Sequence, residues 1–280
     1  MRRWKGCLAI SALLLASSTP ATATPYDPAQ ALTSAYYAAV AYCPRPAVEA
    51  WTCTYCTNGA NGTAPRLSHV IYLYNSSTQN AGYVAWDPAA SSIVVSFRGT
   101  VTALEWLEDF DFSLVPGPCA GCAVSQGFFS IAYASLRAQM LAAFAAMPNP
   151  AAPLRVTGHS LGAALAEYAA FELGAARVQS AITFGTPRGG NAAWAAAWAA
   201  AAPPAAFRVI HQLDPVPHLP PKLLGYAHSP TEVWYHNKSN PAQYRVCSAA
   251  NGEDPDCSDS ILPDDPKDHD YYLGFEIDGC

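Results

Sequence analysis

Charged residues are scarce in this 280-residue sequence. Only 13% of its residues are Asp, Glu, Lys or Arg and 51% are hydrophobic, a composition that excludes a disordered chain. Basic residues are the scarcer sign, with 15 Lys and Arg against 21 Asp and Glu. The resulting net charge of −6 argues against a nucleic acid or an anionic membrane as the partner.

Long apolar runs are also missing, apart from one near the N-terminus. Three basic residues precede the apolar run from Leu8 to Ala16, and Ala21-Thr22-Ala23 offers a small-residue cleavage site. The run is too short to span a bilayer, and no later stretch looks able to. We therefore predict a secretory signal peptide over residues 1–23, an extracellular protein and no transmembrane segment. Three of the fifteen Lys and Arg leave with this peptide, so the remaining chain carries 12 against 21 acids, or −9.

Cysteine usage agrees with export. One of the nine cysteines lies in the signal segment, and an even number in the secreted remainder predicts a complete set of disulfides. The eight are Cys43, Cys53, Cys56, Cys119, Cys122, Cys247, Cys257 and Cys280. The two C-x-x-C pairs also suit zinc or redox sites, but no histidine cluster lies near either, and we predict no metal or organic cofactor. The sequons at Asn61, Asn75 and Asn237 are predicted glycan acceptors in a eukaryotic host.

The hydrophobic pattern predicts strands that alternate with helices. Predicted strands cover 69–74, 81–86, 92–97, 154–157, 177–184, 207–211, 233–236 and 244–247, and predicted helices cover 27–43, 126–147, 163–174 and 189–201. Residues 44–65 and most of 249–268 are predicted loops. This alternation is typical of an α/β fold with a mainly parallel central sheet and helices on both faces, and we expect one domain over 24–280.

The most informative stretch is Gly158-His159-Ser160-Leu161-Gly162. A short strand enters it and an Ala/Leu-rich helix leaves it, which is the setting in which G-x-S-x-G works as a nucleophile elbow. The glycines allow a turn that is too tight for Cβ atoms near Ser160. The N–H of Leu161 then lies at a helix N-terminus, where it can bind a developing oxyanion.

A serine nucleophile needs a base and an acid that orients the base, and in folds built on this elbow the acid precedes the histidine in the chain. Asp214 directly follows the strand 207–211 and is the predicted acid, although an aspartate before Pro215 also starts turns. His269, the last histidine, precedes aromatic residues that can pin its loop. His218 and His228 also follow Asp214, so the residues alone leave three candidates for the base.

Other positions are assigned by their setting. His69, His211 and His236 lie in strand-like runs and are interpreted as structural, and His159 is predicted to point away from the substrate. Thr100, at the end of a strand, can supply the second oxyanion donor through its N–H and hydroxyl; the alternative is a turn that caps a helix.

Several of these motifs, in this order, resemble the secreted fungal class 3 lipases. The matching segments are Phe97-Arg98-Gly99-Thr100, Trp106-Leu107-Glu108-Asp109, 158–166, 184–189, 214–221 and His269-Asp270-Tyr271-Tyr272. The resemblance implies an α/β-hydrolase fold, a Ser160–His269–Asp214 triad and an oxyanion hole from Thr100 and Leu161.

The same resemblance implies the disulfide pairs and a lid. The pairs would be Cys43–Cys280, Cys53–Cys56, Cys119–Cys122 and Cys247–Cys257. The lid would be the helical segment 101–112, whose apolar face comprises Val101, Leu104, Trp106, Leu107 and Phe110. The alternative is a helix that simply packs on the core.

The expected function is therefore triacylglycerol hydrolysis at an oil–water interface by a monomeric enzyme. Feruloyl and other short-chain esterases share this fold and triad, but their lid segment is more polar than residues 101–112. A non-catalytic secreted binding protein on the same scaffold is the third reading, and the intact triad argues against it.

Overall fold

The computed structural model describes residues 24–57, 66–100, 111–240, 242–262 and 265–280. The predicted signal peptide, the predicted lid residues 101–110 and Asn61 lie outside these ranges.

Strands and helices alternate along the described chain, as predicted. The strands are β1 (Ser68–Tyr74), β2 (Ala81–Asp87), β3 (Ser92–Phe97), β4 (Leu114–Pro116), β5 (Ala123–Ser125), β6 (Leu154–His159), β7 (Val178–Phe184), β8 (Gly190–Asn191), β9 (Ala205–His211), β10 (Tyr226–Ala227), β11 (Glu232–Tyr235), β12 (Arg245–Val246), β13 (Tyr271–Tyr272) and β14 (Phe275–Glu276). The helices are α1 (Pro28–Val40), α2 (Arg45–Glu49), α3 (Thr54–Thr57), α4 (Ala134–Ala143), α5 (Leu161–Leu173), α6 (Ala192–Ala201) and α7 (Lys267–Asp270).

The main sheet has the strand order β1-β2-β3-β6-β7-β9-β11-β12. The five inner strands from β3 to β11 are parallel, whereas β1, β2 and β12 pair antiparallel at the two edges. Every residue of β3 is buried, which explains its uninterrupted Ile93-Val94-Val95 run. The predicted α/β class with a mainly parallel central sheet is confirmed.

Helices cover both faces of this sheet. Each face of the sheet has its own hydrophobic core, and two neighbouring residues of β7 belong to different cores. Ala181 packs in the core with α4 and α5, and Ile182 packs in the core with α1. Side chains of a strand alternate between the faces, so one strand supplies both cores. Helix α1 begins as predicted, with Asp27 accepting a hydrogen bond from the N–H of Ala29 at 2.9 Å.

One expectation about membranes needs correction. Within the described chain, the helical segment Gln126–Ala146 is long and apolar enough to cross a bilayer by length and composition. It opens as a π-helix, Gln126–Tyr133, continues as α4 and ends in a 3₁₀ turn. Phe128, Leu136 and Met140 on this segment are fully buried in the protein core. Packing in the core thus explains these three apolar residues, whereas Ile131 on the same segment is 45% exposed.

The segment predicted as loop from 44 to 65 contains two short helices, α2 and α3. Each has five residues or fewer, which is too short to produce a readable apolar period. Pro46 in the first turn favours the start of α2, and the Cys53–Cys56 disulfide closes α3.

Four disulfides are present, and they are the pairs that the resemblance implied: Cys43–Cys280, Cys53–Cys56, Cys119–Cys122 and Cys247–Cys257. Cys43–Cys280 joins residues 237 positions apart, so it ties the chain just after α1 to the C-terminus. A cross-link over so long a loop restricts the unfolded chain far more than one over three positions.

Replacing Cys43 and Cys280 together with serine should lower the free energy of unfolding by about 5–6 kcal/mol, on the chain-entropy argument. The matched control replaces Cys53 and Cys56, whose short loop predicts a loss of about 2 kcal/mol. Urea unfolding of both variants and the parent measures the difference. Equal losses in the two variants would contradict the loop-length explanation.

A carboxyl group lies inside the protein on α5. Glu167 is 2% exposed and accepts a hydrogen bond from the Ser229 hydroxyl at 2.8 Å. Burial raises the pKa of Glu167 to about 7, against the opposing charge of Arg208 and the hydrogen bond from Ser229. Arg208 itself pairs with Glu232 at 3.6 Å. The proton on Glu167 is therefore linked to the stability of the fold.

The sign of this linkage follows from the raised pKa. Between pH 4.5 and 7 the folded protein holds a proton on Glu167 that the unfolded chain has lost, so stability falls as pH rises. Across this window the free energy of unfolding of the parent should fall by about 3 kcal/mol more than that of Glu167→Gln. Urea unfolding at pH 5 and pH 8 checks this, with Glu49→Gln on the exposed face of α2 as the control. If the free energy of unfolding of Glu167→Gln changed with pH as much as that of the parent, the prediction would be refuted.

Candidate active site

Ser160 lies at the sharp turn between β6 and α5. Its φ of 59° and ψ of −130° are unusual for a residue with a side chain. A Cβ atom on Gly158 would approach the carbonyl oxygen of Gly162 to 2.2 Å, and one on Gly162 would approach that of Phe97 to 2.2 Å. Both glycines are therefore required by close backbone contacts. The predicted strand–turn–helix geometry of the elbow is present.

His269 and Asp214 form a fully buried pair. Nδ1 of His269 lies 2.9 Å from Oδ1 and 3.0 Å from Oδ2 of Asp214, and both side chains are 0% exposed. Because an ionised carboxylate only accepts hydrogen bonds, Nδ1 carries the proton and Nε2 is left as the basic nitrogen. This is the tautomer that a general base needs.

Asp214 is held ionised by its other contacts. Its Oδ1 accepts from the N–H of Val216 at 2.9 Å, and its Oδ2 accepts from the hydroxyl of Tyr272. Burial raises the pKa of Asp214, but the electrostatic influence of the adjacent His269 and the hydrogen bonds from His269, Tyr272 and Val216 outweigh burial and hold the pKa below its usual value. The carboxylate is thus charged at neutral pH without contact with water.

Gly185 leaves room for this pair. Its φ of +56° is in the left-handed region, and a Cβ there would lie 2.9 Å from both Oδ2 of Asp214 and Cε1 of His269. Gly185 follows Phe184, whose carbonyl oxygen accepts the N–H of Ser160 at 2.9 Å. The end of β7 therefore adjoins the nucleophile on one side and the acid–base pair on the other.

Two groups at the centre of the site have no hydrogen-bond partner among the described residues. They are Oγ of Ser160 and Nε2 of His269, and both atoms are buried. Buried polar atoms are normally paired, and catalytic hydrogen bonds are often long until substrate binds. Both atoms are thus left without a partner in the described chain, as a predicted nucleophile and base would be before a substrate binds.

The predicted oxyanion donors flank Ser160. Leu161 is the first residue of α5, where main-chain N–H groups have no partner within the helix. Thr100 follows β3 at the same end of the sheet, and its Oγ1 is buried without a hydrogen-bond partner in the described chain. A hydroxyl and helix N–H groups together suit a negatively charged oxygen.

The competing histidines do not hydrogen-bond to Asp214 in the described chain. Nε2 of His228 contacts the carbonyl oxygen of Pro217, whereas Nε2 of His218 is buried without a hydrogen-bond partner among the described residues. His211 contacts the carbonyl oxygen of Asp268 at 3.2 Å, and His236 packs on the ring of Trp234. Of the histidines within the ranges that the structure describes, only His269 is hydrogen-bonded to Asp214.

Several supporting residues were not predicted. Asp268, directly before His269, accepts the N–H of Leu213 at 3.0 Å and lies 3.6 Å from Nζ of Lys238. Tyr42 bonds to the ring of His159 at 2.8 Å. The aromatic residues after His269 are expected to hold its loop, and Tyr272 is one of them. No local sequence pattern predicts the contacts of Tyr42 or Asp268.

One cluster has the donor types of a metal site. The side-chain donor atoms of Glu232, Cys247 and Cys257 lie within 4.8 Å of one another. The two sulfurs are bonded to each other in a disulfide, so they are not available as thiolate ligands. The donor set does not fit a metal ion.

Comparisons with known proteins agree on one family. The family model described as Lipase (class 3) matches residues 94–224. A secreted mono- and diacylglycerol lipase A from Penicillium cyclopium is 37% identical over 178 residues, covering 61% of this chain and 57% of that relative. The chain therefore spans little more than half the length of such curated relatives.

Solved structures match over more of the chain. The lipase from Rhizopus microsporus var. chinensis is 30% identical with a TM-score of 0.77, covering 91% of this chain and 90% of that one. A triacylglycerol lipase whose catalytic centre is described as a serine protease triad is 28% identical with a TM-score of 0.77. The match covers 89% of this chain and 95% of that one.

Proposed function

Because the chain belongs to the class 3 lipase family, we propose that it is a secreted serine ester hydrolase, a triacylglycerol lipase that cleaves acylglycerols. Its α/β-hydrolase fold is that of the lipases it resembles. Secretion agrees with the name of the Penicillium relative and with the four disulfides. Residues 24–280 are proposed to form one domain around the continuous main sheet.

The observation that carries the proposal is the buried His269–Asp214 pair beside an unpaired Ser160 hydroxyl. The 2.9 Å contact to Asp214 places the proton on Nδ1 and frees Nε2 to accept the serine proton. A triad is the described catalytic centre of the solved triacylglycerol lipase that is 28% identical. The same roles are proposed for Ser160, His269 and Asp214.

In the first half of the proposed reaction, Oγ of Ser160 attacks the ester carbonyl carbon while Nε2 of His269 takes its proton. The carbonyl oxygen becomes an oxyanion, which the N–H groups of Thr100 and Leu161 and the Thr100 hydroxyl stabilise. His269 then gives its proton to the departing alcohol oxygen as the carbon–oxygen bond breaks. An acyl-enzyme on Ser160 remains.

In the second half, a water molecule gives a proton to His269 and attacks the acyl carbon. The second oxyanion collapses, His269 returns the proton to Ser160, and the fatty acid leaves. Asp214 keeps its charge throughout and stabilises the imidazolium form of His269 at each step. No step needs a metal or an organic cofactor.

Exposed leucines near the site support a lipid substrate. Leu223 is 96% exposed and Leu224 53% exposed, shortly after Asp214, and Leu262, shortly before His269, is 90% exposed. The two segments are joined by an ion pair of 2.7 Å between Lys222 and Asp259. Such apolar side chains favour contact with a lipid surface over water. No feature of the sequence analysis had marked them.

Some proposals rest on the sequence and the family alone. The predicted segment 101–112, with Trp106 and Leu107, is proposed as a lid that exposes its apolar face only where lipid covers it. Asn61, Asn75 and Asn237 stay predicted glycan acceptors, and the monomeric state stays a prediction.

Replacing Ser160 with alanine should lower the rate of ester hydrolysis by about 10,000-fold or more, because the nucleophile is lost. A fluorophosphonate probe should label the parent covalently and leave Ser160→Ala unlabelled. Ser96→Ala, which alters another buried serine, serves as the control and should be labelled like the parent. Labelling of Ser160→Ala would refute the assignment, and an unlabelled parent would favour a non-catalytic binding protein.

Hydrolysis of one short-chain triglyceride should rise sharply when its concentration passes the solubility limit and droplets form. The reason is that the proposed lid and the exposed leucines contact lipid only at an interface. A pH-stat measures the rate, with methyl ferulate run in parallel. Saturation below the limit together with rapid ferulate cleavage would mean a feruloyl or short-chain esterase.

A further inference from the structure

We propose that His159, the variable residue of the elbow, is a positioning residue that fixes the main chain of His269 relative to Ser160. The inference deepens the proposed function and rests on it. The sequence alone predicts only that this side chain points away from the substrate. The chemistry of the elbow turn does not require a histidine there, since the turn depends on Gly158, Gly162 and Ser160.

The hydrogen bonds of His159 can be assigned without ambiguity. Its Nε2 lies 2.8 Å from the carbonyl oxygen of His269, which can only accept, so Nε2 carries the proton. Nδ1 of the neutral ring is then an acceptor, and the hydroxyl of Tyr42, 2.8 Å away, donates to it. His159 is 1% exposed. One imidazole thus holds the backbone of the base and is itself held by Tyr42.

The ring also packs directly against the base. The ring centroids of His159 and His269 are 4.4 Å apart with an interplanar angle of 34°. On another side, the ring centroids of Tyr272 and His159 are 5.6 Å apart. The hydroxyl of this same Tyr272 donates to Asp214. Because His159 precedes Ser160 in the chain, any displacement of its ring changes the relation between nucleophile and base.

The assignment requires a neutral ring, and the surroundings supply it. Burial lowers the pKa of His159 well below its ordinary value, and the adjacent His269 lowers it further. The carboxylate of Asp214 and the hydrogen bond to His269 act in the opposite direction but do not prevail. In the neutral state Nδ1 keeps its lone pair for the Tyr42 hydroxyl.

The contact extends to the oxyanion segment. A Cβ on Gly99 would lie 2.2 Å from Oη of Tyr42 and 2.9 Å from Cβ of Ser160. The Tyr42 hydroxyl therefore sits against the main chain that leads into Thr100. Tyr42 and His159 together connect the oxyanion segment, the elbow and the loop of the base.

The test compares replacements that keep different parts of the imidazole. His159→Gln places an amide N–H near the position of Nε2, His159→Asn reaches only the position of Nδ1, and His159→Phe keeps the ring volume without either hydrogen bond. Turnover is measured on a soluble short-chain p-nitrophenyl ester, so that no lipid interface is involved. The melting temperature of each variant is measured in parallel.

We expect His159→Phe and His159→Asn to lower kcat by about 10–100-fold with KM changed by less than about 2-fold, because a small misplacement of the base slows the chemistry. His159→Gln should recover kcat to within about 5-fold of the parent, since the donor to the His269 carbonyl is restored. The rate of covalent labelling by a fluorophosphonate should follow kcat.

A matched tyrosine pair separates positioning from stability. Tyr42→Phe should lower kcat, because Nδ1 of His159 loses its donor. Tyr83→Phe removes another buried tyrosine hydroxyl, which donates to the carbonyl oxygen of Tyr37 at 2.9 Å in α1. It should lower the melting temperature and leave kcat unchanged.

Two results would overturn the inference: a folded His159→Phe with the kcat of the parent, or a His159→Gln as slow as His159→Asn. If His159→Phe does not fold, the comparison of Gln with Asn decides. A parent that neither hydrolyses the ester nor reacts with the probe would refute the proposed function, and the positioning role with it.

Discussion

The site depends on the hydrogen bond between a carboxylate and an imidazole that are both fully buried. Asp214 and His269 are each 0% exposed, and an ionised group in that position is costly unless its hydrogen bonds are complete. The carboxylate of Asp214 meets this requirement with donors from His269, Val216 and Tyr272. Each donor also fixes the geometry, so the demand for electrostatic compensation positions the base.

The surrounding fold can be understood as what keeps these donors in place. Ser160 and Asp214 follow β6 and β9, and parallel strands bring their carboxyl ends to one edge of the sheet. His269 has no such strand before it and sits on the short helix α7. That helix is held by Asp268, which bonds to Leu213 and lies near His211 and Lys238. Further along the chain, the Cys43–Cys280 disulfide ties the C-terminus back to the end of α1.

How much could be predicted from the sequence depends on the range of the interaction. The elbow was predictable because Gly158, Ser160 and Gly162 are neighbours in the chain, and Asp214 because it ends a recognisable strand. On residues alone His269 could not be separated from His218 and His228, and the resemblance to a family decided between them. Tyr42 was not predicted, because its contact with His159 spans 117 positions and leaves no local pattern. The helices α2 and α3 were missed for the opposite reason, since they are too short to show a period.

The backbone at Ser160 shows why the interior around the site has to be rigid. A φ of 59° at a residue with a side chain costs about 1–3 kcal/mol and persists only where the surroundings over-determine it. Here β6 enters the turn and α5 leaves it with residues 161–170 all buried, while Gly158 and Gly162 allow backbone contacts that any Cβ would block. His159 adds a further restraint through the carbonyl oxygen of His269. The packing that holds the strained serine thus also holds His269, so the proposed nucleophile and the proposed base are positioned together.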